Sequence, residues 1–178
     1  RNLGLRKFSR ARAHRRRRRA GQWAPSPAAA RKPPVTPPPD TLCIDPGSGL
    51  AQGAPYLPSP HCDERPPGVG VELLVIHAIS LPPGEYGSPD VPALFCGTLD
   101  TACRADYAEL DGLRVSAHFF IRRDGQVVQF VPVYRRAWHA GVSRFAGRER
   151  CNDFSLGIEL EGRDDDAFTP AQYGALTA

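Results

Sequence analysis

His77, His118 and His139, with the carboxylates Glu159 and Glu161, are the side chains whose type and setting could do chemistry in this sequence. His77 closes the apolar run Leu73-Leu74-Val75-Ile76, and a polar residue at a strand exit is held by a rigid scaffold while it faces loops. A core histidine with both ring nitrogens satisfied is the competing reading of the same position. Glu159 and Glu161 alternate with Leu156, Ile158 and Leu160 in the segment 155–161. A carboxylate on a core strand is costly to bury unpaired. That face is therefore either solvated or turned toward a cation, a metal-bound water or an arginine. Ala137-Trp138-His139-Ala140-Gly141 is a compact aromatic, histidine and glycine loop, in which Gly141 permits either a close backbone approach or a simple turn. The five cysteines, Cys43, Cys62, Cys96, Cys103 and Cys151, are odd in number, irregularly spaced and form no C-x-x-C pair, which argues against a zinc ribbon or a disulfide framework. Free thiols in a reducing compartment fit them better.

These residues need a scaffold, and the sequence supplies an α/β one. The run 71–76 is too short for an ordinary helix, carries two β-branched residues and is stopped by Pro82-Pro83-Gly84, so it is expected to be a buried strand. Strands are also expected at 115–121 and 126–131, joined as a hairpin by Asp124-Gly125, whose glycine supplies the positive φ of a tight turn. Val127, Gln129 and Val131 against Val128 and Phe130 leave both faces of the second strand largely apolar, so it should be covered on both sides. A fourth strand is expected at 155–161, and short helices at 91–95 and 102–110. The segment 42–67 is punctuated by Gly and Pro and should wrap the sheet as a loop. The long irregular stretch 81–111 has the length of a substrate-binding border.

Charge divides the 178-residue chain in two. Residues 1–40 hold twelve basic side chains against Asp40 alone, whereas 41–178 hold eleven basic and eighteen acidic, a net −7. The pI near 9.0 thus belongs to the leader. With only Leu3, Leu5, Phe8, Trp23 and Val35 as large apolar residues, residues 1–41 form an Arg- and Pro-rich extension expected to be disordered. The run Arg15–Arg19 invites a nucleic-acid reading, but it rests on the extension alone, and a flexible leader accounts for it. No stretch of about 20 apolar residues exists to span a bilayer, and no apolar core follows the arginines as a secretion signal would need. A cytoplasmic monomer is the simplest expectation.

Five motifs, in order across residues 42–178, resemble the type-2 N-acetylmuramoyl-L-alanine amidase and peptidoglycan-recognition family. They are Tyr56-Leu-Pro-Ser-Pro-His-Cys-Asp-Glu-Arg-Pro66, Leu74-Val-Ile-His-Ala-Ile-Ser-Leu-Pro-Pro-Gly-Glu85, Leu113-Arg-Val-Ser-Ala-His-Phe-Phe-Ile-Arg-Arg-Asp-Gly125, Arg136-Ala-Trp-His-Ala-Gly-Val-Ser143 and Gly147-Arg-Glu-Arg-Cys-Asn-Asp-Phe-Ser-Leu-Gly-Ile-Glu-Leu-Glu-Gly162. The resemblance implies a zinc enzyme with a mixed sheet and flanking helices, which cleaves the amide between the lactyl group of muramic acid and L-alanine in (1,6-anhydro)muropeptides during cell-wall recycling. It implies His77 as a zinc ligand and Glu159 as the catalytic carboxylate. Arg114, Trp138, His139 and Arg150 would be substrate-binding residues, whereas the neighbours of His118 suggest a packed strand and so a structural role for it. Ala78 departs from the Asn that often follows the first ligand. The second zinc His, the Asp ligand and a catalytic Lys of the family are expected beyond Ala178, so the chain as written is expected to be inactive. The alternative is a non-catalytic peptidoglycan-binding module of the same fold, against which the retained His77 and Glu159 stand.

Overall fold

The structure of this chain, a computed structural model, describes residues 41–178; the basic extension expected to be disordered lies outside the described residues. The strands are β1 (Cys62–Glu64), β2 (Leu73–Ile79), β3 (Phe119–Ile121), β4 (Val127–Gln129), β5 (Arg135–Ala137), β6 (Arg144–Phe145), β7 (Arg148–Glu149) and β8 (Ser155–Glu161), with helices α1 (Asp90–Phe95) and α2 (Pro170–Thr177). The main sheet has the order β2-β8-β3-β4. β8 runs parallel to both β2 and β3, and β3 and β4 form the antiparallel hairpin that Asp124-Gly125 signals. Gly125 does adopt positive φ, at 86°. β8 falls at the boundaries expected from sequence.

β2 differs from its expectation in two ways. Its pairing with β8 continues from Leu73↔Ser155 to Ile79↔Glu161, so His77 sits inside the strand opposite Glu159 and not at its exit. β2 is also an edge strand, and Leu74 and Ile76 remain 51% and 38% exposed. The run is apolar but only half buried, because no element among those described covers that stretch of its outer face. Residues 115–118 stay outside the ladder of β3, although the backbone N–H of His118 donates to Gly157 O at 2.9 Å. The helix expected at 102–110 divides into two 3-10 turns, Thr101–Cys103 and Ala105–Leu110, at Arg104, whose backbone is extended. β1 forms within the expected loop by pairing antiparallel with β5.

Alternation along the central strands splits the core into two layers, as the two-residue period of a strand requires. Phe120 and Val128 pack with Phe130, Phe95 and Tyr107 on one side. Phe119, Ile121, Val127 and Leu160 pack with Ala175 of α2 on the other. α2 is started by Pro170 and a capping box between Thr169 and Gln172. The buried Gln172 amide also donates to Ile121 O (3.2 Å) and Glu161 O (2.9 Å), fastening the helix across the ends of β3 and β8.

Candidate active site

The site is laid out by the β2–β8 register. Ser155, Gly157, Glu159 and Glu161 share one face of β8, and the pairing His77↔Glu159 brings histidine and carboxylate side by side on adjacent strands. His77 is 8% exposed and Glu159 3%. Burial lowers the His77 pKa, so the imidazole is held neutral. Glu159 Oε2 is buried with no hydrogen-bond partner among the described residues. Burial, and to a lesser extent the charge of Asp164, push its pKa up to about 8.

His139 completes the cluster from the loop after β5. Its Nδ1 lies 3.0 Å from His77 Nε2 and its Nε2 lies 3.1 Å from Ser155 Oγ. The two rings meet edge-on, with centroids 5.2 Å apart. The His139 pKa falls to about 2, first from burial and then from the neighbouring His77, His118 and Arg65. The loop is pinned by Asn152, whose Oδ1 accepts from the backbone N–H groups of His139 (3.2 Å) and Ala140 (2.8 Å). His118 has both nitrogens committed to backbone: Nδ1 accepts from Gly157 N–H at 3.0 Å, which leaves Nε2–H to donate to Arg135 O at 3.0 Å.

The other residues singled out from sequence stand around this cluster. Trp138 Nε1 donates to Asp63 Oδ1 at 3.2 Å, and its ring stacks on His61. Arg150 is exposed, takes the left-handed backbone region at φ 61° and pairs with Asp153 at 3.2 Å. Arg114 is exposed and lines a cavity of about 240 Å³ with His61, Leu99 and Leu113. The structure therefore joins His77 to His139 directly and sets Glu159 beside His77 through the strand register, whereas Arg114 lies in the wall that includes His61.

Sequence reasoning missed the supports. Arg136 grips both oxygens of Asp63 (2.7 and 2.6 Å) and also pairs with Asp153, tying β1 and β5 to the turn that leads into β8. Arg65 donates to the carbonyls of Asn152, Asp153, Val133 and Ser155 at 3.1, 3.0, 3.3 and 2.8 Å. Their sequence signal is only a charged residue placed among turn residues, and the partners are up to 90 positions away.

Parallel β2 and β8, the edge strand of a mixed sheet and its neighbour, with buried His77 and Glu159 side by side across them, define the class once the chain is compared with known proteins. Residues 67–178 match the family described as N-acetylmuramoyl-L-alanine amidase, and this chain belongs to that family of hydrolases. Among its relatives are the proteins named 1,6-anhydro-N-acetylmuramyl-L-alanine amidase AmpD from Escherichia coli (strain K12), 59% identical over 73% of this chain and 71% of that one, and from Citrobacter freundii, 60% identical over 73% and 70%. A crystal structure of a selenomethionine derivative of AmpD superposes with a TM-score of 0.73 at 56% identity, covering 76% of this chain and 74% of that chain. The mixed sheet with flanking helices is thus the type-2 amidase fold.

Proposed function

We propose that residues 42–178 supply His77, Glu159 and the substrate-facing residues of an enzyme that hydrolyses the amide between the muramic acid lactyl group and L-alanine in 1,6-anhydro-muropeptides, as a zinc-dependent cytoplasmic step of peptidoglycan recycling, and that these residues by themselves are inactive for want of the remaining metal ligands. The observation that carries the reading is Glu159: a buried, unpartnered carboxylate beside a neutral imidazole, in a chain 59% identical to an amidase named for that substrate. An orphaned buried carboxylate is costly unless something outside the chain faces it, and a cation with its bound water is suited to that place. The donor chemistry fits such an ion through His77. Among the described residues no group of three or more His, Cys, Asp and Glu could hold a metal alone, so the other ligands would come from outside them.

Zinc bound there would supply a water acidified toward neutral pH and a polarised substrate carbonyl. Glu159 takes the proton from the attacking water as the C–O bond forms. It then delivers that proton to the L-alanine nitrogen as the C–N bond breaks, leaving a lactyl carboxylic acid and a free amine. Burial favours the protonated Glu159 carboxyl, with its pKa pushed up to about 8, and a cation beside it would favour the charged form that acts as the base. Arg114 and Arg150 offer planar forks of donors to substrate carboxylates or sugar oxygens, and Trp138 and His139 wall the cleft. No helix among the described residues is long and apolar enough to cross a membrane.

The test is turnover of a 1,6-anhydro-muropeptide by the full-length protein, with products identified by mass spectrometry. Zinc-dependent release of the peptide with a free L-alanine amine is expected, suppressed by a chelator and restored by zinc. Tight binding of the muropeptide without cleavage under the same conditions would favour the non-catalytic module instead.

A further inference from the structure

The contacts of His139 form a chain whose polarity can be read from one end. Ser155 Oγ lies 2.6 Å from Cys151 O, and since a carbonyl can only accept, the single hydroxyl proton is spent there. Ser155 Oγ must then accept from His139, which places that proton on His139 Nε2. His139 Nδ1 is left as an acceptor, so the 3.0 Å contact to His77 carries its proton on His77 Nε2. His77 Nδ1 therefore holds the bare lone pair, and it makes no hydrogen bond among the described residues. The floor under this chain is Gly157. A Cβ there would come within 2.6 Å of His139 Cδ2 and Nδ1, so only glycine lets the ring lie across β8 between Ser155 and His77.

We infer that His139 is a positioning residue that, anchored by Ser155 and seated on Gly157, locks His77 as the Nε2–H tautomer and so directs the Nδ1 lone pair outward as a metal ligand. The use of that lone pair rests on the zinc reading above; the tautomer does not. A metal-binding histidine commonly donates its other ring N–H to a neighbour that fixes tautomer and orientation. Here that neighbour is a second imidazole, itself oriented by a serine and a backbone carbonyl. Both nitrogens of His139 are engaged in this way, so it can meet substrate only through its ring face.

Long-range proton–nitrogen NMR of the imidazoles in the chelator-treated full chain tests the tautomer, and chelator competition with zinc tests its use. His77 is expected to show a protonated Nε2 and an unprotonated Nδ1. His139→Ala and Gly157→Ala should turn this into a mixture of tautomers and weaken zinc binding about 10- to 100-fold. His139→Asn, whose side-chain oxygen can replace Nδ1 as acceptor, should restore most of both, and it guards against a variant that merely fails to fold. A protonated Nδ1 on His77 in the unaltered protein, or a tautomer indifferent to His139→Ala, would overturn the positioning role. A tautomer that shifts while zinc affinity stays constant would overturn the use of that lone pair for zinc and leave the hydrogen-bonded chain standing.

Discussion

Glu159 and Glu161 stand two residues apart on one face of β8, each 3% exposed, and their surroundings are opposite. Glu161 accepts hydrogen bonds from the backbone N–H groups of Gly87 (2.7 Å) and Arg123 (3.0 Å), with Arg122 Nη1 at 3.7 Å. Glu159 Oε2 has no such partner among the described residues, and its pKa is pushed up to about 8. Residue type, burial and strand are shared, so the supply of donors alone separates them. A carboxylate whose oxygens are taken up by backbone N–H groups is a fastener, here holding the 81–89 loop and the β3–β4 turn against β8. One left without partners keeps its lone pairs for chemistry.

The largest effect that would break this comparison concerns turnover. Glu159→Gln should lower it by roughly 10²-fold or more in the full-length protein while zinc content and melting temperature hold, as expected for loss of a positioned base. Loss of zinc in that variant would make Glu159 a ligand instead. Glu161→Gln should act on stability: a buried N–H that loses its charged acceptor costs about 1–3 kcal/mol, measurable as a shift of the urea midpoint, with turnover kept within about tenfold. If Glu161 proved indispensable to turnover and Glu159 dispensable, the roles would be reversed.

A gentler effect sharpens the contrast through pH. The Glu159 pKa is raised in the folded state, so the fold binds this proton more tightly than the unfolded chain does. Its contribution is fully present below the ordinary carboxyl range and is lost as pH rises through about 8. Metal-free protein should lose stability across that window, by at most about 1.4 kcal/mol per pH unit, and Glu159→Gln should flatten the slope. Urea titrations at several pH values read this directly. The smallest effect is expected from the basic extension. Deleting residues 1–40 should leave turnover of a soluble muropeptide nearly unchanged, since charges in salt solution are screened beyond about 10 Å, and a fall beyond tenfold would bring the extension into the site.

What could be read from the sequence were features written in neighbouring residues. The alternation of 155–161 yielded β8 at its observed limits, and Asp124-Gly125 yielded the hairpin. The motifs pointed to His77 and Glu159, which the register does place side by side. The contact of His77 with His139 spans 62 positions and has no periodic signature. Gly157 looked like an unremarked strand residue, because the reason for its missing side chain is a ring arriving from another loop. β1 and β5 are three residues each and exist through their mutual pairing, so neither segment betrays a strand alone. The apolar run of β2 suggested full burial, but composition does not tell an edge from a centre.

The order of the main sheet has a consequence for how the protein is made. Among the described strands β8 is the last to be synthesised, yet it lies between β2 and β3 and supplies a partner to each. Until residues 155–161 emerge, β2 has no neighbour in this sheet, and β3 has only its hairpin mate. The nascent chain therefore carries an open, apolar strand edge from the end of β2 until β8 has been added, a period in which pairing with another chain competes with waiting. Closure then depends on contacts about 80 positions apart, as in Leu73↔Ser155, so the cost of closing a long loop falls due before this pairing can offset it. The groups that would do its chemistry meet only in that final insertion, so an unfinished chain has neither a central sheet nor a catalytic centre.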